Sequence, residues 1–269
     1  MPTSRRPRRA PRHDADAGGD QALLADKARL REEVWSALTD ARVSRFPGAY
    51  GRVPNFVGAE AAARGLASTD LWRGSRTLKA NPDAPQWPVR QRALEDGKLV
   101  YMAVPRLASE RPFFVLDPDE LSDSPRTASS IKGASRSART VDLLDLTPVD
   151  LVVAGCVAVG EDGARLGKGG GFGDLELAIA EAAGLIGPHT RLVTTVHELQ
   201  VLPAGRVPTT DHDRWVDLVV TPDRLITPTR RSTAHPGIRW EELTDEKVAA
   251  VPILGRLRRG DTARRSARR

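Results

Sequence analysis

Two patterns of polar and apolar residues alternate along the chain: segments with a period near 3.6 residues, and short apolar runs rich in β-branched residues. Parallel strands joined by crossover helices produce this alternation. The predicted strands are Leu99–Val104, Leu151–Val159, Arg191–Val196 and Leu218–Thr221. The predicted helices are Gln21–Thr39, Gly58–Leu66, Val89–Asp96 and Asp174–Ala183. The pattern therefore predicts an α/β fold.

Both ends and one central stretch lack this periodicity. Residues 1–20 are rich in Arg, Pro, Asp and Gly, and residues 258–269 are similar, so both are predicted to be disordered tails. Residues 117–140 are rich in Ser, Asp and Arg and are predicted to form a loop or flexible insertion. No convincing linker divides residues 21–257, which are predicted to form one domain.

The first predicted helix carries two cations on its apolar side. The apolar stripe consists of Leu23, Leu30, Val34 and Leu38. At about 100° per residue, Lys27 falls in the middle of this stripe and Arg31 at its edge. One explanation is that both side chains snorkel toward solvent. The alternative is that they point into a pocket that holds an anion, because i, i+4 spacing places their charged groups side by side.

The most informative stretch is residues 163–174, which we call the glycine run. Its glycines from the centre onward are Gly167, Gly169, Gly170, Gly171 and Gly173. They let the backbone adopt positive φ and approach a ligand closely. A helix that begins near Asp174 would direct unpaired N–H groups at an anion, and Arg165 and Lys168 add positive charge. The run predicts a phosphate-binding loop, with a flexible surface loop as the alternative.

Two better-known phosphate motifs do not account for the glycine run. A Walker A motif needs one more residue between Gly163 and Lys168, and it needs a hydroxyl where Gly169 stands. In the dinucleotide fingerprint G-x-G-x-x-G, the last glycine would fall on Phe172 or Asp174. Neither motif is therefore predicted.

The net charge of +6 for 269 residues comes from the ends of the chain. Residues 1–20 carry five Arg and three Asp, residues 256–269 carry seven Arg and one Asp, and the body between them is slightly acidic. The basic balance therefore does not by itself indicate a nucleic-acid-binding protein. The tails are expected to make weak, salt-sensitive contacts with polyanions.

The remaining composition points to an ordinary globular protein. The single cysteine, Cys156, lies in an apolar segment and is predicted to be a packed core thiol. No stretch approaches the roughly 20 apolar residues that span a bilayer, and no apolar signal-peptide region follows the N-terminal arginines. We expect a cytoplasmic protein without membrane contact.

Acidic residues and a histidine precede the last predicted strand. Asp213 and Asp217 belong to this segment and could hold a hard cation or orient a phosphate, although such loops are often solvated turns. His197 and His212 are too few for a zinc site. Hydrogen-bonded structural histidines are expected.

Three motifs occur in order along the chain: Lys27-x-x-x-Arg31, Arg165-Leu-Gly-x-Gly-x-Gly-Phe-x-Asp174 and Pro208-x-x-Asp-His-Asp213-x-x-Val-Asp217. Together they resemble the 5-formyltetrahydrofolate cyclo-ligase family, also called methenyltetrahydrofolate synthetase, over most of residues 22–227. The chain is more similar to the branch known as methenyltetrahydrofolate synthetase domain-containing proteins. That likeness rests on the segments Arg52–Gly58, Lys79–Arg90, Asp150–Val159 and Pro252–Leu257.

The resemblance implies a single Rossmann-like three-layer domain with a mostly parallel central sheet, and an ATP- and Mg²⁺-dependent ligase. In the family's reaction, the formyl oxygen of 5-formyltetrahydrofolate takes the γ-phosphoryl group of ATP. N10 then attacks the activated carbon and phosphate leaves, giving 5,10-methenyltetrahydrofolate. Such phosphoryl transfer depends on positioning and charge neutralisation. ATP, Mg²⁺ and a reduced folate are the expected ligands.

The resemblance also assigns roles to residues. It implies that Lys27, Arg165 and Lys168 are catalytic, and that Lys168 and Phe172 contact the folate. The implied nucleotide-binding residues are Lys27, Arg31, Arg165, Gly167, Lys168, Gly169, Gly170, Gly171, Phe172 and Gly173. Asp174 and Asp213 match the family's magnesium ligands, as hard oxygen donors should.

The chain departs from the family on the folate side. Gly171-Phe-Gly-Asp-Leu175 stands where the family has Gly-Tyr-Tyr-Asp-Arg, and Asn81-Pro-Asp-Ala-Pro85 occupies the region of the family's substrate-binding glutamate. Two alternatives follow: an ATP-dependent enzyme with another substrate, or a non-catalytic nucleotide- or RNA-binding regulatory module. Aromatic residues make up only 4% of the chain, which leaves few stacking platforms for single-stranded nucleic acid.

Overall fold

A computed structural model of the chain describes residues 14–170, 172–210, 213–229 and 237–259. Its helices are α1 Asp14–Asp40, α2 Ala59–Ala67, α3 Asp70–Gly74, α4 Trp87–Glu95, α5 Pro125–Ala128, α6 Ile131–Ser137, α7 Phe172–Ala182, α8 Asp245–Ala250 and α9 Pro252–Arg258. Its strands are β1 Thr77–Ala80, β2 Leu99–Ala103, β3 Phe113–Leu116, β4 Arg139–Val141, β5 Leu151–Val153, β6 Ala158–Gly160, β7 Arg165–Leu166, β8 Arg191–Thr195, β9 Val201–Leu202, β10 Leu218–Val220 and β11 Leu225–Ile226.

Among the described residues, eight strands form the central sheet in the order β11-β10-β8-β5-β1-β2-β3-β4. The five strands from β10 to β2 run parallel, and antiparallel strands complete both edges. The chain reverses its direction across the sheet at β1, because β2 lies on one side of β1 and β5 on the other. Ligands of open α/β sheets bind at the carboxyl ends of the strands at such a switch point.

Helices cover both faces of the central sheet. On one face, α2, α4, α5 and α6 pack against strand residues such as Leu78 and Met102. On the other face, α7 and α9 pack against neighbours of opposite parity, such as Tyr101 and Val152. Because side chains alternate across a strand, Lys79 of β1 points to the α7 side. The predicted three-layer α/β fold with a mostly parallel sheet is confirmed.

Helix α1 packs on a second, smaller sheet of order β7-β6-β9. Leu30, Val34 and Leu38 of its apolar stripe are buried together with Val157 and Leu166. This packing brings the cation-bearing side of α1 over β7, the strand within the glycine run.

The structure corrects the predicted strand Leu151–Val159 and the predicted loop 117–140. The strand is in fact two strands, β5 and β6, which belong to different sheets. The loop region contains α5 and α6, whose N-caps are Ser124 and Ser130. Serines that we interpreted as loop residues are thus helix caps, which accept hydrogen bonds from the first turn.

Further differences concern the beginning of the chain and the two sheets. Helix α1 begins at Asp14 rather than at Gln21, so residues 14–20 are helical. The strands β1, β3, β4, β7, β9 and β11 were not predicted. Residues 1–13 and 260–269, which hold most of the predicted tails, lie outside the described residues.

Within the described part of the chain, no helix combines the length and apolar character needed to cross a bilayer.

Asp150 joins the amino ends of β1 and β5. Its Oδ2 accepts hydrogen bonds from the backbone N–H of Arg76 at 2.8 Å and from that of Thr77 at 3.0 Å. The Thr77 hydroxyl donates a third, also at 3.0 Å. Burial raises the pKa of Asp150, but these hydrogen bonds outweigh burial and leave the pKa below its ordinary value.

We expect Asp150→Asn to lower the free energy of unfolding by about 1 kcal/mol at neutral pH. Because the folded-state pKa is depressed, this stabilisation is present above the unfolded pKa of ~4 and is lost as the pH falls through the folded-state pKa. Urea unfolding of both proteins at neutral and strongly acidic pH checks the sign. A stability difference that is independent of pH would contradict the assigned hydrogen bonds.

Candidate functional site

A cavity of about 900 Å³ opens at the carboxyl ends of β1, β2 and β5. Asn81 follows β1, Val104 follows β2 and Gly155 follows β5, and all three line the cavity. Residues of α1, of the glycine run and of the segment around Asp213 also line it. The cavity therefore lies at the switch point of the sheet.

Helix α1 brings its two cations to this cavity. Lys27 Nζ lies 2.9 Å from Asp213 Oδ2, in a pair whose side chains are 14% and 18% exposed. Arg31 Nε donates to the carbonyl oxygen of Gly167 at 2.7 Å. Burial lowers the pKa of Arg31, and the charge of Asp174 partly opposes it. Lys27 and Arg31 thus both line the cavity. This is the arrangement expected if the cations on the apolar side of the helix point into a pocket.

Residues 168–170 of the glycine run contact three other parts of the fold. Gly169 has φ +95°, and a Cβ atom there would lie 3.3 Å from Cζ of Arg31 on α1. Lys168 Nζ lies 3.3 Å from Asp83 Oδ1, in the segment after β1. Lys247 Nζ of α8 donates to the carbonyl oxygen of Gly170 at 2.8 Å. These contacts make the run a wall of the cavity.

Two predicted ligand contacts lie outside what the structure describes. Gly171 is not among the described residues, and the side chain of Phe172 is not described. Gly167, Gly170 and Gly173 line the cavity together with Lys168 and Gly169. The roles assigned to Gly171 and Phe172 stay predictions.

Arg165 of β7 is the most enclosed of the predicted phosphate-binding cations, with a side chain that is 3% exposed. It forms an ion pair with Asp174, and its Nη1 donates to the carbonyl oxygen of Gly155 at 3.3 Å. Burial lowers the pKa of Arg165, but the charges of Asp174, Cys156 and Asp213 outweigh burial and raise it above its ordinary value. Nε is buried without a hydrogen-bond acceptor among the described residues. The guanidinium therefore remains charged and retains one unused donor.

Asp174 and Asp213, the predicted metal ligands, both line the cavity. Asp213 Oδ2 also accepts a hydrogen bond from the backbone N–H of Thr210 at 2.8 Å. In the part of the chain that the structure describes, no three His, Cys, Asp or Glu residues are grouped to hold a metal ion. The structure thus brings the two carboxylates to one cavity without forming a metal site from protein ligands alone.

Arg90 of α4 shapes the cavity wall and was missed by the sequence analysis. It is 1% exposed, and its guanidinium donates to the carbonyl oxygens of Asn81, Pro82, Asp83 and Ser129. Burial lowers the pKa of Arg90 to about 9, with Asp83 opposing, so it is charged at neutral pH. Arg90 thereby fixes the segment that carries the Asp83 partner of Lys168.

A buried ion pair between Lys79 and Glu176 was also missed. Lys79 Nζ of β1 lies 2.6 Å from Glu176 Oε1 of α7, and both side chains are at least 94% buried. Asn81 Nδ2 donates to Glu176 Oε2 at 3.1 Å, and Asn81 Oδ1 accepts from the backbone N–H of Gly155 at 3.2 Å. Glu176 and Asn81 line the cavity, and Lys79 lies behind them. The sequence feature that could have indicated this ion pair is a lysine that stands between the apolar residues Leu78 and Ala80.

Cys156 and His197 have structural roles, as predicted. Cys156 is 1% exposed, and burial raises the pKa of its thiol to about 11. His197 Nδ1 accepts from the backbone N–H of Leu199 at 3.2 Å and caps a short 3-10 turn. Burial lowers the pKa of His197. His212 lies outside the described residues.

We expect Gly169→Ala to lower the free energy of unfolding by about 1–2 kcal/mol, because a Cβ atom is strained at positive φ and would press on Arg31. Gly167→Ala is the matched control, since a Cβ atom there has open space and no positive φ to accommodate. It should be neutral or slightly stabilising. Urea unfolding measures both, and equal effects would contradict the strain argument.

The fold and the site together define an α/β protein with a cation-rich cavity at the switch point of its sheet. The sequence matches the profile of the 5-formyltetrahydrofolate cyclo-ligase family over residues 21–222, and the chain belongs to this family. The resemblance inferred from the ordered motifs is thereby confirmed.

Curated relatives carry the name methenyltetrahydrofolate synthase domain-containing protein. The Bos taurus protein is 36% identical over 234 residues, which are 86% of this chain and 62% of that protein. The Homo sapiens protein is 31% identical over 240 residues, which are 88% of this chain and 63% of that protein. The chain thus spans less than two thirds of the length of these relatives.

Two solved structures of similar proteins are more distant. One is the Aquifex aeolicus 5,10-methenyltetrahydrofolate synthetase, with a TM-score of 0.49 and 17% identity, covering 81% of this chain and 99% of that one. The other is a 5,10-methenyltetrahydrofolate synthetase from Mycoplasma pneumoniae, with a TM-score of 0.40 and 10% identity, covering 74% of this chain and 97% of that one.

Proposed function

We propose that this protein is an ATP- and Mg²⁺-dependent cyclo-ligase that converts 5-formyltetrahydrofolate into 5,10-methenyltetrahydrofolate. The observation that carries the proposal is the convergence of the glycine run, Lys27, Arg31, Arg165 and Lys168 on one cavity in a member of this family. Four cations beside a flexible glycine backbone suit a polyphosphate better than a neutral ligand.

The cations would bind the triphosphate by exchanging partners. Lys27, Arg165 and Lys168 are each paired with a carboxylate, so a phosphate oxygen would replace one anion with another. The Lys168–Asp83 pair is partly exposed and therefore weak, within about 1 kcal/mol, which favours its exchange. Arg165 would hold a phosphoryl oxygen in place of Asp174 and would stay charged throughout.

The carboxylates suit a magnesium ion that the nucleotide brings with it. Mg²⁺ commonly binds through one or two carboxylates together with substrate phosphates. Asp174 and Asp213 supply two such carboxylates, and both are close enough to Arg165 to raise its pKa. They would be freed when their cation partners turn to phosphate. The ion itself would neutralise part of the phosphate charge.

The proposed reaction requires no covalent bond to the protein. The formyl oxygen attacks the γ-phosphorus and ADP leaves, after which N10 attacks the formyl carbon, loses its proton, and phosphate departs. Lys27, Arg165 and Lys168 would offset the negative charge that spreads over the transferred phosphoryl oxygens. Val104, Leu107 and Ile131 would exclude water from the apolar part of the cavity.

The proposal is tested by mixing purified protein with ATP, MgCl₂ and 5-formyltetrahydrofolate. Product is followed by the near-ultraviolet absorbance of methenyltetrahydrofolate, and ADP is measured in parallel. We expect equal amounts of both products, and only when all three reactants are present. If ATP binds and no methenyltetrahydrofolate forms, the proposed reaction is wrong.

One observation favours a second candidate, an ATP-dependent enzyme of this family with another substrate. Leu175 stands where the family carries an arginine, and its side chain is 7% exposed within the apolar cluster beneath α7. The cation that the family places near the folate is thus replaced by a core residue. ATP hydrolysis stimulated by a different formylated or carboxylated compound would favour this candidate. Salt-sensitive RNA binding with no ATP binding would instead favour a non-catalytic role.

A further inference from the structure

We propose that Glu176 is the group that recognises the heterocycle of the substrate, and that Lys79 and Asn81 are positioning residues that hold it. The expected ligand edge carries neighbouring amino and ring N–H donors, as the 2-amino-4-oxopyrimidine ring of a reduced folate does. This inference rests on the proposed function, because it assigns a substrate contact within the same cavity.

The first argument is the cost of burying these charges. Burying an ion pair is unfavourable unless further hydrogen bonds satisfy both partners. Lys79 Nζ and Glu176 Oε1 are 2.6 Å apart but are not aligned as a hydrogen bond, and neither has another hydrogen-bond partner among the described residues. An apolar pair would pack between β1 and α7 without this cost. Packing therefore does not explain why two charged groups lie here.

The second argument is that Glu176 borders the cavity, the side from which a ligand would approach. Glu176 lines the cavity, whereas Lys79 lies behind it on the strand. Asn81 occupies Oε2 of the carboxylate, and its own side-chain oxygen is held by Gly155. A carboxylate has acceptor positions for about four hydrogen bonds. Glu176 therefore has unused acceptor positions at the border of the cavity, on a carboxylate that Lys79 and Asn81 hold in place.

The third argument is the chemistry of the surrounding wall. Apolar residues that follow β2 and begin α6 line the same cavity, among them Val104, Leu107 and Ile131. The phosphate-binding cations come from other elements, α1 and the glycine run. A flat ring with a donor edge matches an apolar wall with one fixed acceptor. A carboxylate or phosphate group would be repelled by Glu176.

The test compares ligand binding to wild type, Glu176→Gln and the double variant Lys79→Met with Glu176→Gln. The double variant removes the buried ammonium that the single variant would leave unpaired. Calorimetry measures the affinity for 5-formyltetrahydrofolate and for a non-hydrolysable ATP analogue. Competition with pterin and with lumazine, which carries a 2-oxo group in place of the 2-amino group, reports on the donor edge directly. The matched control is Glu181→Gln, since Glu181 is a buried, Arg214-paired carboxylate on the same helix outside the cavity.

We expect the double variant to bind 5-formyltetrahydrofolate about 10- to 100-fold more weakly and to lose the preference for pterin over lumazine. Its affinity for the ATP analogue should be unchanged, and Glu181→Gln should keep the wild-type preference. Unchanged folate affinity and preference in a folded double variant would overturn the inference. Equal losses of folate and ATP-analogue affinity would also overturn it, because they indicate a structural role only.

Measurements of ligand binding and of turnover distinguish failure of the proposed reaction from failure of this inference. If wild type prefers pterin through Glu176 but forms no methenyltetrahydrofolate, the proposed reaction is wrong and this inference stands. If wild type turns over 5-formyltetrahydrofolate and the double variant binds it equally well, the reaction stands and the inference is wrong. Wild type that binds neither ring would overturn the inference.

Discussion

Arg165→Met is expected to lower the rate of the proposed cyclisation by at least about 100-fold, the effect of losing one preorganised donor to a developing anion. The side chain is almost fully enclosed, remains charged, and lies near both Asp174 and Asp213. Methionine has a similar length but no donors, so the two carboxylates would lose the charge that offsets them. Steady-state kinetics should show a fall in kcat, and calorimetry should show weaker ATP binding.

Arg206→Met is the control for this experiment. Arg206 is a half-exposed arginine that pairs with Glu33 of α1 and does not line the cavity. Its replacement should leave both kcat and ATP affinity at wild-type values, because an exposed pair contributes little. Wild-type kinetics for Arg165→Met would contradict the site, and so would equal losses in both variants.

The second large effect concerns stability. Arg90→Met should lower the free energy of unfolding by at least about 3 kcal/mol, because the carbonyl oxygens of Asn81 and Ser129 would lose the buried donors that Arg90 supplies, and Asp83 would lose one of its two. For a chain of this size, that change corresponds to a drop in Tm of roughly 6–12 °C. Lysine should rescue little of the loss, since a single ammonium cannot reproduce the planar fork of donors.

Arg92→Met is the matched control, two residues away on α4. Arg92 is partly exposed and pairs with Asp96, the residue that follows α4, so its loss should cost less than about 1 kcal/mol. Thermal unfolding followed by circular dichroism measures both variants. Similar shifts in Tm for Arg90→Met and Arg92→Met would show that the buried carbonyl contacts do not contribute as assigned.

The predicted and missed strands show where sequence patterns carry information. The strands Leu99–Ala103 and Arg191–Thr195 lie within the predicted strands Leu99–Val104 and Arg191–Val196, which were identified from short apolar runs rich in β-branched residues. Strand β1 was missed because Lys79 interrupts its run. The lysine is compatible with a central strand only because Glu176, far along the chain, pairs with it.

The prediction of a single strand over residues 151–159 was wrong for a related reason. Its apolar run is continuous, so periodicity cannot distinguish one strand from two. The break comes at Gly155, where a Cβ atom would lie 2.7 Å from Gln86 Oε1 and 2.8 Å from Val53 Cγ1. The close approach of these two distant side chains, together with β8 and β9 as separate partners, divides the run between two sheets.

Local patterns along the chain were enough to predict the α/β class, the cation-bearing side of α1 and the glycine run, because periodicity and glycine content depend only on neighbouring residues. Tertiary structure alone decided which anion each cation meets: Asp213 for Lys27, Asp174 for Arg165, Asp83 for Lys168 and Glu176 for Lys79. Most of these partners come from distant segments that only the packed sheet brings together. Coulomb energy depends on their separation in space and on their burial, which no local pattern records.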